Sequence, residues 1–572
     1  MKNIFAALTR SWRSTLLAAL ALLAAFSPAL GDPTIKYSTY LGGSLSDRGI
    51  AVAARAGSTF IAGITRSTDY PVVGVSSSKP LDQYSDDVFV TALDSSGAPL
   101  YSTYVPTLDA DHKTLVGIGL TPGGPPDSGY VYLVTEALYA EDTLINVTKL
   151  SYTGAVDWKQ SVDVGRAFAF GMTVDPNGNI YIAGRDNNET LNSQYADRIF
   201  VWKMNASGSD VYTVVIDGND FDLARGIAAD SAGNAYITGI TRSTDLPGAY
   251  GQPVPGGGGD NAFVTKLDPS GAVLWTTYLG GGGYDEGKKI AVAADNSVVV
   301  AGITQSSDFP TRNALQTALD GPQDLFLARL TPYGSLISST YLGGSGSDAV
   351  NDLALEPASI LLAVSSPDAG SPLRAPLDPA CDLNFIAKLD ATASRVLDAS
   401  CRGDAVAADS TGVSVTGAAD SGLPVVNAWQ PAPAGGGDAF AMKVVLNHPP
   451  DCSGAVASPG TLWPAGGNFV SVVIHGVTDP EGDAATIAFT SIFQDEWYTY
   501  SGQPDAYGLG TSTARLRASR LNGGDGRVYH LTFTATDPRG ATCTGTVRVC
   551  VPIVQGGTCV DGGARVNSTQ SY

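Results

Sequence analysis

The sequence predicts an all-β protein, a seven-bladed β-propeller followed by an Ig-like β-sandwich. Three observations predict this fold class. A short strand with a central Phe recurs through the first four-fifths of the chain, small apolar and aromatic strands recur around it, and the repeat stops before a segment that holds most of the cysteines. Beyond the first 31 residues, no stretch has the periodicity of an amphipathic helix.

The Phe-centred strand sets the period of the repeat. Most copies are followed by a turn rich in Asp, Pro, Ser and Gly and then by an aromatic strand, which is typical of strand-and-turn structure. The copies are 87–90, 199–201, 262–264, 325–327, 384–386 and 439–441, with a weaker one at 146–150. Seven units at a spacing of about 50–60 residues predict propeller blades, because a ring of sheets buries each sheet face and leaves only short edges.

The phase of the repeat predicts how the ring closes. Residues 37–43 read as an outer strand, whereas the seventh unit ends after its Phe440 strand without an outer strand of its own. We therefore expect the strand at 37–43 to complete the last blade, within a propeller domain that spans 32–446.

Several segments of the repeat resemble a known family. Residues 235–239, 261–267 and 278–281 are similar to the SBBP (seven-bladed β-propeller) repeat of secreted bacterial proteins, and the resemblance extends over roughly residues 37–446. The resemblance implies a propeller fold and export. The family carries no settled activity, so the resemblance implies no catalytic residues.

The C-terminal region has a different pattern. Residues 447–451 contain tandem prolines and read as a linker, residues 452–560 hold successive strand-like segments that suit an Ig-like sandwich, and residues 561–572 read as a flexible tail. The Asp-Pro motifs at 478–483 and 535–540 are similar to bacterial cadherin-like and hyalin-repeat modules.

Six cysteines predict disulfides, although fifteen pairings are formally open. The hyalin-repeat resemblance implies a bond between Cys452, at the start of the domain, and Cys543, near its last strand. We further expect Cys550–Cys559 as a short terminal loop and Cys381–Cys401 within the propeller.

The N-terminal segment indicates the cellular compartment, and the net charge limits the kinds of partner. Lys2, Arg10 and Arg13 precede an apolar run at 16–26 and a small-x-small motif at 29–31, so residues 1–31 read as a signal peptide. The net charge is −21, and removal of three signal-segment cations gives −24 (−21 − 3). Such a charge argues against nucleic-acid partners, and no second long apolar run predicts membrane insertion. We expect a secreted, periplasmic or cell-surface protein.

Recurring acidic loops form the first candidate site. One set follows the second strand of a blade and another precedes the first strand, so both open on one face. The members are Asp47, Asp69, Asp222, Asp245, Asp285, Asp308 and Asp348. They could form a binding face that concentrates cations, but the interpretation that we favour is that Asp and Ser cap these turns by bonding to nearby backbone.

A second candidate site is a set of acids in the C-terminal module. Cadherin-like modules bind Ca²⁺ with such carboxylates, whereas the alternative is a set of acidic turns. The residues are Asp479, Glu481, Asp483, Asp495, Glu496 and Asp537. Ca²⁺ is the one cofactor that the sequence suggests.

The sequence favours a non-enzymatic binding or adhesion protein, or a cell-surface scaffold, with a protein or polysaccharide partner. We predict no catalytic residue, because no nucleophile elbow, zinc motif or phosphate loop is present. The alternative is a carbohydrate-active enzyme that uses carboxylates of the acidic face. It would need acids that break the repeat, and blades two and three, with His112, Asp109, Asp111 and Arg166, are the place to look.

Overall fold

The computed structural model describes residues 34–74, 86–105, 112–121, 129–139, 142–187, 197–249, 259–357, 359–367, 371, 373, 384–394, 396–445, 449–479, 483–497, 503–538 and 541–570. The predicted signal peptide lies outside these residues. They form strands and turns without an α-helix, and none of them belongs to a helix long and apolar enough to cross a membrane. Contacts divide the chain into a unit of residues 33–445 and a unit that contains residues 446–572.

The first unit consists of strands β1 to β28. In chain order they are β1 (Thr34–Leu41), β2 (Asp47–Arg55), β3 (Ser58–Thr65), β4 (Asp87–Leu93), β5 (Pro99–Tyr104), β6 (His112–Leu120), β7 (Tyr130–Tyr139), β8 (Asp142–Ser151), β9 (Val156–Asp163), β10 (Ala167–Val174), β11 (Ile180–Asp186), β12 (Arg198–Met204), β13 (Asp210–Ile216), β14 (Asp222–Ala229), β15 (Ala235–Thr241), β16 (Asn261–Leu267), β17 (Val273–Leu279), β18 (Asp285–Val292), β19 (Val298–Thr304), β20 (Asp324–Leu330), β21 (Leu336–Leu342), β22 (Ala349–Glu356), β23 (Ser359–Ser365), β24 (Asn384–Asp390), β25 (Val396–Cys401), β26 (Ala405–Asp409), β27 (Gly412–Ala419) and β28 (Asp438–Val445).

These strands form four-stranded antiparallel sheets in chain order. Sheets 1 to 6 are β2–β5, β6–β9, β10–β13, β14–β17, β18–β21 and β22–β25, and sheet 7 is β26–β28 with β1. Strand β1 pairs with β28, with Tyr40 opposite Phe440. The first strand of each sheet contacts the first strand of the next, and β26 contacts β2. The sheets therefore form a closed cycle of contacts.

The hydrophobic core lies between neighbouring sheets. Every residue of the second strand β15 is buried, because both of its faces are covered. One core cluster combines Ile199 and Val201 of sheet 3 with Ile237 and Phe263 of sheet 4. A sheet that is apolar on both faces must pack between two other sheets, because neither face can be left in water. This explains the apolar second strands seen in the sequence.

A glycine recurs in the second strand because the first strand bulges toward it. In sheet 4 the register of β14 shifts between Ala224 and Gly226, opposite Gly239. A Cβ at Gly239 would overlap the carbonyl oxygen of Leu223, and Gly302 stands in the same relation to Glu286. The Ala-Gly-Ile and Thr-Gly-Ile motifs of the sequence thus record a β-bulge, since only glycine allows this approach.

The described residues of the second unit contain eight strands of unequal length. They are β29 (Val456–Ser458), β30 (Phe469–His475), β31 (Thr486–Gln494), β32 (Ala506–Tyr507), β33 (Ala514–Arg517), β34 (Arg527–Thr536), β35 (Thr542–Val551) and β36 (Val566–Asn567). They form two four-stranded sheets, in the orders β29-β30-β33-β32 and β35-β34-β31-β36. Phe489, Leu531 and Phe533 are among the buried residues of its core.

Two disulfides lie in this unit. Cys452 is bonded to Cys543, and Cys550 is bonded to Cys559. Both bonds are among the predicted pairs. The third predicted bond cannot be described in the same way, because Cys381 lies outside the described residues. Disulfides persist in oxidising compartments, so these two are compatible with a secreted or extracellular protein.

Candidate binding face

The aspartates that precede the first strands are buried and tie loops together. Asp222 accepts hydrogen bonds from Gly218 N (2.9 Å), from Ser243 Oγ (2.8 Å) and from the hydroxyl of Thr241. Asp47, Asp285 and Asp348 likewise accept the N–H of the glycine four residues earlier, at 2.8 Å in each case. All four aspartates are at most 1% exposed. They cap turns and are not part of an accessible acidic surface.

The aspartates that follow the second strands bind the same loops. Each accepts the backbone N–H of the residue directly after the glycine that the buried aspartate binds. Asp245 accepts from Asn219 N at 2.8 Å, and Asp308 accepts from Gly282 N at 2.7 Å. Asp69 accepts from both the N–H and the hydroxyl of Ser44. In these three sheets, two carboxylates therefore clamp two successive N–H groups. We call the surface formed by residues 42–47, 65–70, 217–222, 241–246, 280–285, 304–309 and 343–348 the Asp-loop face.

Tyrosine hydroxyl groups of the outer strands form hydrogen bonds with the backbone of the same loops. The hydroxyl of Tyr104 donates to Ser67 O (2.6 Å) and accepts from Tyr70 N (3.1 Å). Tyr341 makes the equivalent pair of bonds, and Tyr278 and Tyr40 each accept a backbone N–H. These rings are buried. They pack within the structure and do not form an exposed platform for sugar rings.

Burial raises the pKa of the loop carboxylates. The pKa of Asp222 is raised to about 6, chiefly by burial, against the effect of its hydrogen bonds to Thr241 and Ser243. Burial also raises the pKa values of Asp47 and Asp285. Desolvation disfavours the charged form of a carboxylate, and the donated hydrogen bonds compensate for only part of this cost.

Sheets 2 and 3 have no aspartate at the register position that Asp222 occupies in sheet 4, and other charged groups lie nearby. Asp222 lies opposite Thr241 in sheet 4, whereas Lys113 lies opposite Ala137 in sheet 2. In sheet 3 the corresponding pair is Ala167 and Asp186. Lys113 Nζ instead contacts Asp87 Oδ1 of sheet 1 at 2.7 Å. These are the two blades in which the sequence predicts the strongest departure from the repeat.

Glu136 is the most unusual of the groups that break the repeat. It occupies, in β7, the register position that Ile240 has in β15, and it is 7% exposed. Its carboxylate accepts the N–H of Ala169 in sheet 3. Burial raises the pKa of Glu136 to about 7, while the Ala169 N–H and the nearby guanidinium of Arg185 lower it. A pKa near 7 is suited to proton transfer, but nothing in the described residues brings a second carboxylate into pairing with Glu136.

The residues named for the enzyme alternative are only partly described. Asp109 and Asp111 lie outside the described residues, and His112 begins β6. Arg166 lies in the turn between β9 and β10. The groups that do break the repeat here, Glu136 and Arg185, were not identified from the sequence. The neighbouring copies of the repeat have Ile at the register positions of Glu136 and Arg185. A charged residue in place of this Ile was the signal that could have revealed them.

Contacts made by charged side chains connect each sheet to the next. We call these the junction contacts. They are Lys113–Asp87 between sheets 2 and 1, Glu136–Ala169 between 2 and 3, Arg225–Phe170 between 4 and 3, Arg225–Glu286 between 4 and 5, Lys289–Asp352 between 5 and 6, Asp352–Val406 between 6 and 7, and Arg48–Asp404 between 1 and 7. The described residues thus provide a hydrogen bond, an ion pair or a cation–π contact at every step of the cycle.

A basic residue near the end of the third strand was also missed by the sequence analysis. It recurs directly before the last apolar residue of the Phe-centred strand, as Lys149, Lys203, Lys266, Arg329, Lys388 and Lys443. Lys203 Nζ donates to Gly233 O and Pro269 O of sheet 4, and Arg329 donates to Ala391 O of sheet 6. These side chains connect sheets at the turns opposite the Asp-loop face, so their recurrence has a structural reason.

Five of the six acids predicted for a Ca²⁺ site in the second unit are described. Strands β31 and β34 pair from Thr486, opposite Thr536, to Gln494, opposite Tyr529. Asp479, Asp483 and Asp537 flank the first end of this pair, whereas Asp495 and Glu496 follow the other end. The two ends are separated by eight residues of strand, or about 26 Å. The five described acids are therefore divided between the two ends of this strand pair.

Glu496 and Asp495 have structural partners at their end of the sheet. Arg527 is fully buried, and it contacts Glu496 Oε2 at 3.4 Å and Asp505 Oδ2 at 2.9 Å. Asp495 accepts from Val528 N and Gly562 N. Among the described residues, no three His, Cys, Asp or Glu side chains are grouped so that they could hold a metal ion. Glu481 lies outside those residues, so Ca²⁺ binding near Asp479 stays a prediction.

Comparison with known proteins supports the repeat. A family model described as SBBP: Beta-propeller repeat matches residues 222–247, which span β14 and β15 with the two aspartates Asp222 and Asp245. Together with the four-stranded sheets, this match identifies a β-propeller repeat architecture. No curated protein matches the chain.

Several solved structures are similar at low identity. A mutant of Synechocystis apocarotenoid oxygenase is 11% identical with a TM-score of 0.34, over 66% of this chain and 95% of that chain. The WD40 domain of Toxoplasma gondii coronin is 10% identical with a TM-score of 0.39, over 73% of this chain and 89% of that chain. A puromycin hydrolase mutant is 10% identical with a TM-score of 0.40, over 91% of this chain and 68% of that chain. At these values the likeness carries no argument about function.

Proposed function

We propose that the unit of residues 33–445 is a seven-bladed β-propeller, in which each of the seven sheets is one blade and β1 closes the last blade. The closed cycle of contacts between first strands supports this architecture, because such a cycle is what a ring of blades requires. We further propose that the two sheets of the second unit form an Ig-like sandwich. Its antiparallel sheets around one core and its disulfide between Cys452 and Cys543 support that proposal.

The proposed function is an exported, non-enzymatic binding or adhesion scaffold that presents the Asp-loop face to a polysaccharide or protein at the cell surface. The observation that carries it is the double clamp of a buried and an exposed aspartate on the loops of sheets 1, 4 and 5, as in Asp222 and Asp245. Loops that are held by their own carboxylates lose little conformational freedom on binding, so they make an ordered recognition surface.

The exposed side chains of this face are polar and differ between blades. Arg66 and Arg242 occupy the same loop position and are 56% and 52% exposed, whereas the third copy has Gln305. The two arginines contact Asp86 and Asp260. Side chains that vary on a fixed frame are suited to contact a hydrophilic partner through hydrogen bonds.

A binding experiment with a turnover control tests the proposal. Purified residues 33–572 would be titrated with soluble neutral polysaccharides in biolayer interferometry, while the release of reducing ends is followed. We expect saturable binding without turnover, weakened in the double variant Arg66→Ser/Arg242→Ser. Tyr333→Ser is the control, because Tyr333 is 85% exposed on the turns opposite the Asp-loop face.

The outcomes separate the two candidate functions. Reducing-end release that is abolished by Glu136→Gln would replace the scaffold by the carbohydrate-active enzyme. Equal loss of binding in Tyr333→Ser would show that the Asp-loop face is not the binding surface. If no polysaccharide binds, the polysaccharide partner is wrong, and the same variants would be used with proteins captured from the cell surface.

A further inference from the structure

The outer edges of several sheets are covered by the chain itself. In sheet 1, Val73 N donates to Ser102 O of the outer strand at 2.9 Å. In sheets 4 and 5, Thr276 N donates to Gly248 O and Arg312 N donates to Ser339 O. The covering residue belongs to the long segment between the second and third strands of the same sheet. Uncovered strand edges expose unpaired backbone groups that can pair with another chain, so this covering has a clear physical advantage.

In sheet 2 the segment between the second and third strands is too short to cover the outer strand. Its second and third strands, β7 and β8, are joined by a hairpin with Tyr139 opposite Asp142. Such a hairpin cannot extend across β8 to the outer strand β9. Within the described residues, β9 pairs only with β8, and no backbone hydrogen bond reaches its outer edge. The corresponding segments of sheets 3 and 6 fall partly outside the described residues.

The side chains of β9 are accessible along this edge. Val156 is 47% exposed, and the side chain of Asp157 is 43% exposed. Lys159, Ser161 and Asp163 are also exposed, in alternation with Trp158, Gln160 and Val162, which are half-buried toward sheet 3. The edge is thus an eight-residue strand with alternating charges and one exposed apolar residue.

We propose that β9 is a dimerisation edge, which pairs antiparallel with the β9 strand of a second copy of this chain about a two-fold axis at Trp158. In this register Asp157 lies opposite Lys159 of the partner subunit, and symmetry places Lys159 opposite the partner's Asp157. Opposite charges at directly facing positions stabilise antiparallel pairs. A two-fold axis makes the same favourable pair twice, as in an isologous interface.

The charges favour this register over its neighbours. An axis at Lys159 would place the two Lys159 side chains opposite each other, and an axis at Gln160 would place Asp157 opposite the partner's Asp163. An axis at Ser161 would pair Lys159 with the partner's Asp163, but it would leave Val156 outside the paired segment. The axis at Trp158 covers Val156 and matches both charges, so it satisfies both features of the edge.

A charge-swap experiment tests the dimer and its register together. Sedimentation equilibrium of residues 33–572 is expected to show a concentration-dependent dimer. Asp157→Lys and Lys159→Asp should each raise the dimer Kd about tenfold or more, because each creates two facing like charges. A one-to-one mixture of the two variants should form a heterodimer with a Kd near that of the unchanged protein, since its facing charges are again opposite.

Controls separate this result from a loss of folding. Lys159→Asp retains the 3.1 Å contact between Lys149 and Asp157, so it tests the edge even if Asp157→Lys lowers stability. Asp163→Lys should leave the Kd unchanged, and a rise there instead of in Asp157→Lys would overturn the register. A monomer at the highest soluble concentration, or a mixture that associates no better than either variant alone, would overturn the dimer.

Discussion

At the scale of single residues, burial separates the aspartates that shape the loops from those that water can reach. Asp222 accepts three hydrogen bonds and is 0% exposed, whereas Asp245 accepts from Asn219 N on the exposed side of the same loop. The same residue type therefore has two roles, although the sequence predicts that both sets of aspartates open on one face. Removal of a buried acceptor leaves donors without partners, which costs far more than the loss of an exposed hydrogen bond.

Substitution of the two aspartates should give clearly different losses of stability. Asp222→Ala should lower the free energy of unfolding by about 2–4 kcal/mol, because Gly218 N, Thr241 and Ser243 lose their acceptor. Asp245→Ala should change it by less than about 1 kcal/mol. Urea unfolding of both variants followed by fluorescence measures the difference. Equal effects would mean that burial of Asp222 does not determine its contribution.

Glu136 provides a prediction about pH. Its pKa is raised from 4.5 to about 7 in the folded protein, so folding takes up a proton between these values. Its stabilising contribution is complete below about pH 4.5 and is lost as the pH rises through about 7. Glu136→Gln mimics the neutral acid and should therefore match the unchanged protein at about pH 4. At pH 9 the variant should be more stable by about 3 kcal/mol.

Urea unfolding of both proteins across this pH range provides the measurement. The difference between their unfolding free energies isolates Glu136, because the raised pKa values of Asp47, Asp222 and Asp285 affect both proteins equally. A difference that does not change with pH would contradict the buried, proton-binding state of this side chain.

At the scale of the element, the second strand depends on the bulge of the first. Gly239 and Gly302 lie where the neighbouring backbone comes too close for a side chain. Gly282 is a useful contrast, because a Cβ there would meet only Asp308, at 3.7 Å. The repeated motif therefore reports the packing of two strands, not a flexible hinge.

Alanine substitutions should reveal this packing. Gly239→Ala should lower the free energy of unfolding by about 2–3 kcal/mol, because its Cβ overlaps the backbone of Leu223. Gly282→Ala should have an effect of less than about 1 kcal/mol. Thermal melts of the two variants compare them directly, and equal midpoints would show that the bulge can relax at little cost.

The elements could be predicted well from the sequence, and the sites less well, for identifiable reasons. The pattern 262–264 predicts a buried strand, and β16 spans Asn261–Leu267 with Phe263 fully buried. The phase of the repeat predicts an outer strand at 37–43, and β1 spans Thr34–Leu41 beside β28. The repeat of the strands shows where each loop lies along the chain. It does not show whether a carboxylate in that loop points into the protein or toward water. The sequence therefore assigns Asp222 and Asp245 to one acidic face, although Asp222 is buried and Asp245 is exposed.

The acids of the second unit show the same limit at longer range. Asp483 and Asp495 are close in sequence, and both belong to acidic turns. Strand β31 lies between them and carries them to opposite ends of a sheet. Glu136 was missed for a different reason, because a single charged residue within an apolar strand has no repeat to mark it. Its environment is set by Ala169, which is 33 residues away.

At the scale of the propeller unit, the junction contacts join the sheets in a cycle, and their charges respond to pH in opposite directions. Glu286 lies in β18 with its side chain 2% exposed, between Arg225 Nε at 2.6 Å and Lys288 Nζ at 2.7 Å. Although burial raises the pKa of Glu286, the bonds and charges of Lys288, Tyr284 and Arg225 outweigh it and hold the pKa below its usual value. Glu136 favours folding when protonated, whereas Glu286 favours folding when ionised.

Glu286→Gln should therefore destabilise the protein most at neutral pH. The contribution of a carboxylate with a lowered pKa is present above its unfolded value of 4.5 and is lost as the pH falls through the folded value. At pH 7 the variant should lose about 2–4 kcal/mol, because two cations lose their partner at a buried junction. In acid this loss should shrink. As the pH rises, Glu286→Gln should become less stable than the unchanged protein, whereas Glu136→Gln should become more stable. Urea unfolding at pH 7 and at pH 4 measures both effects, and a loss that persists unchanged in acid would mean that packing, not charge, is what Glu286 contributes between sheets 4 and 5.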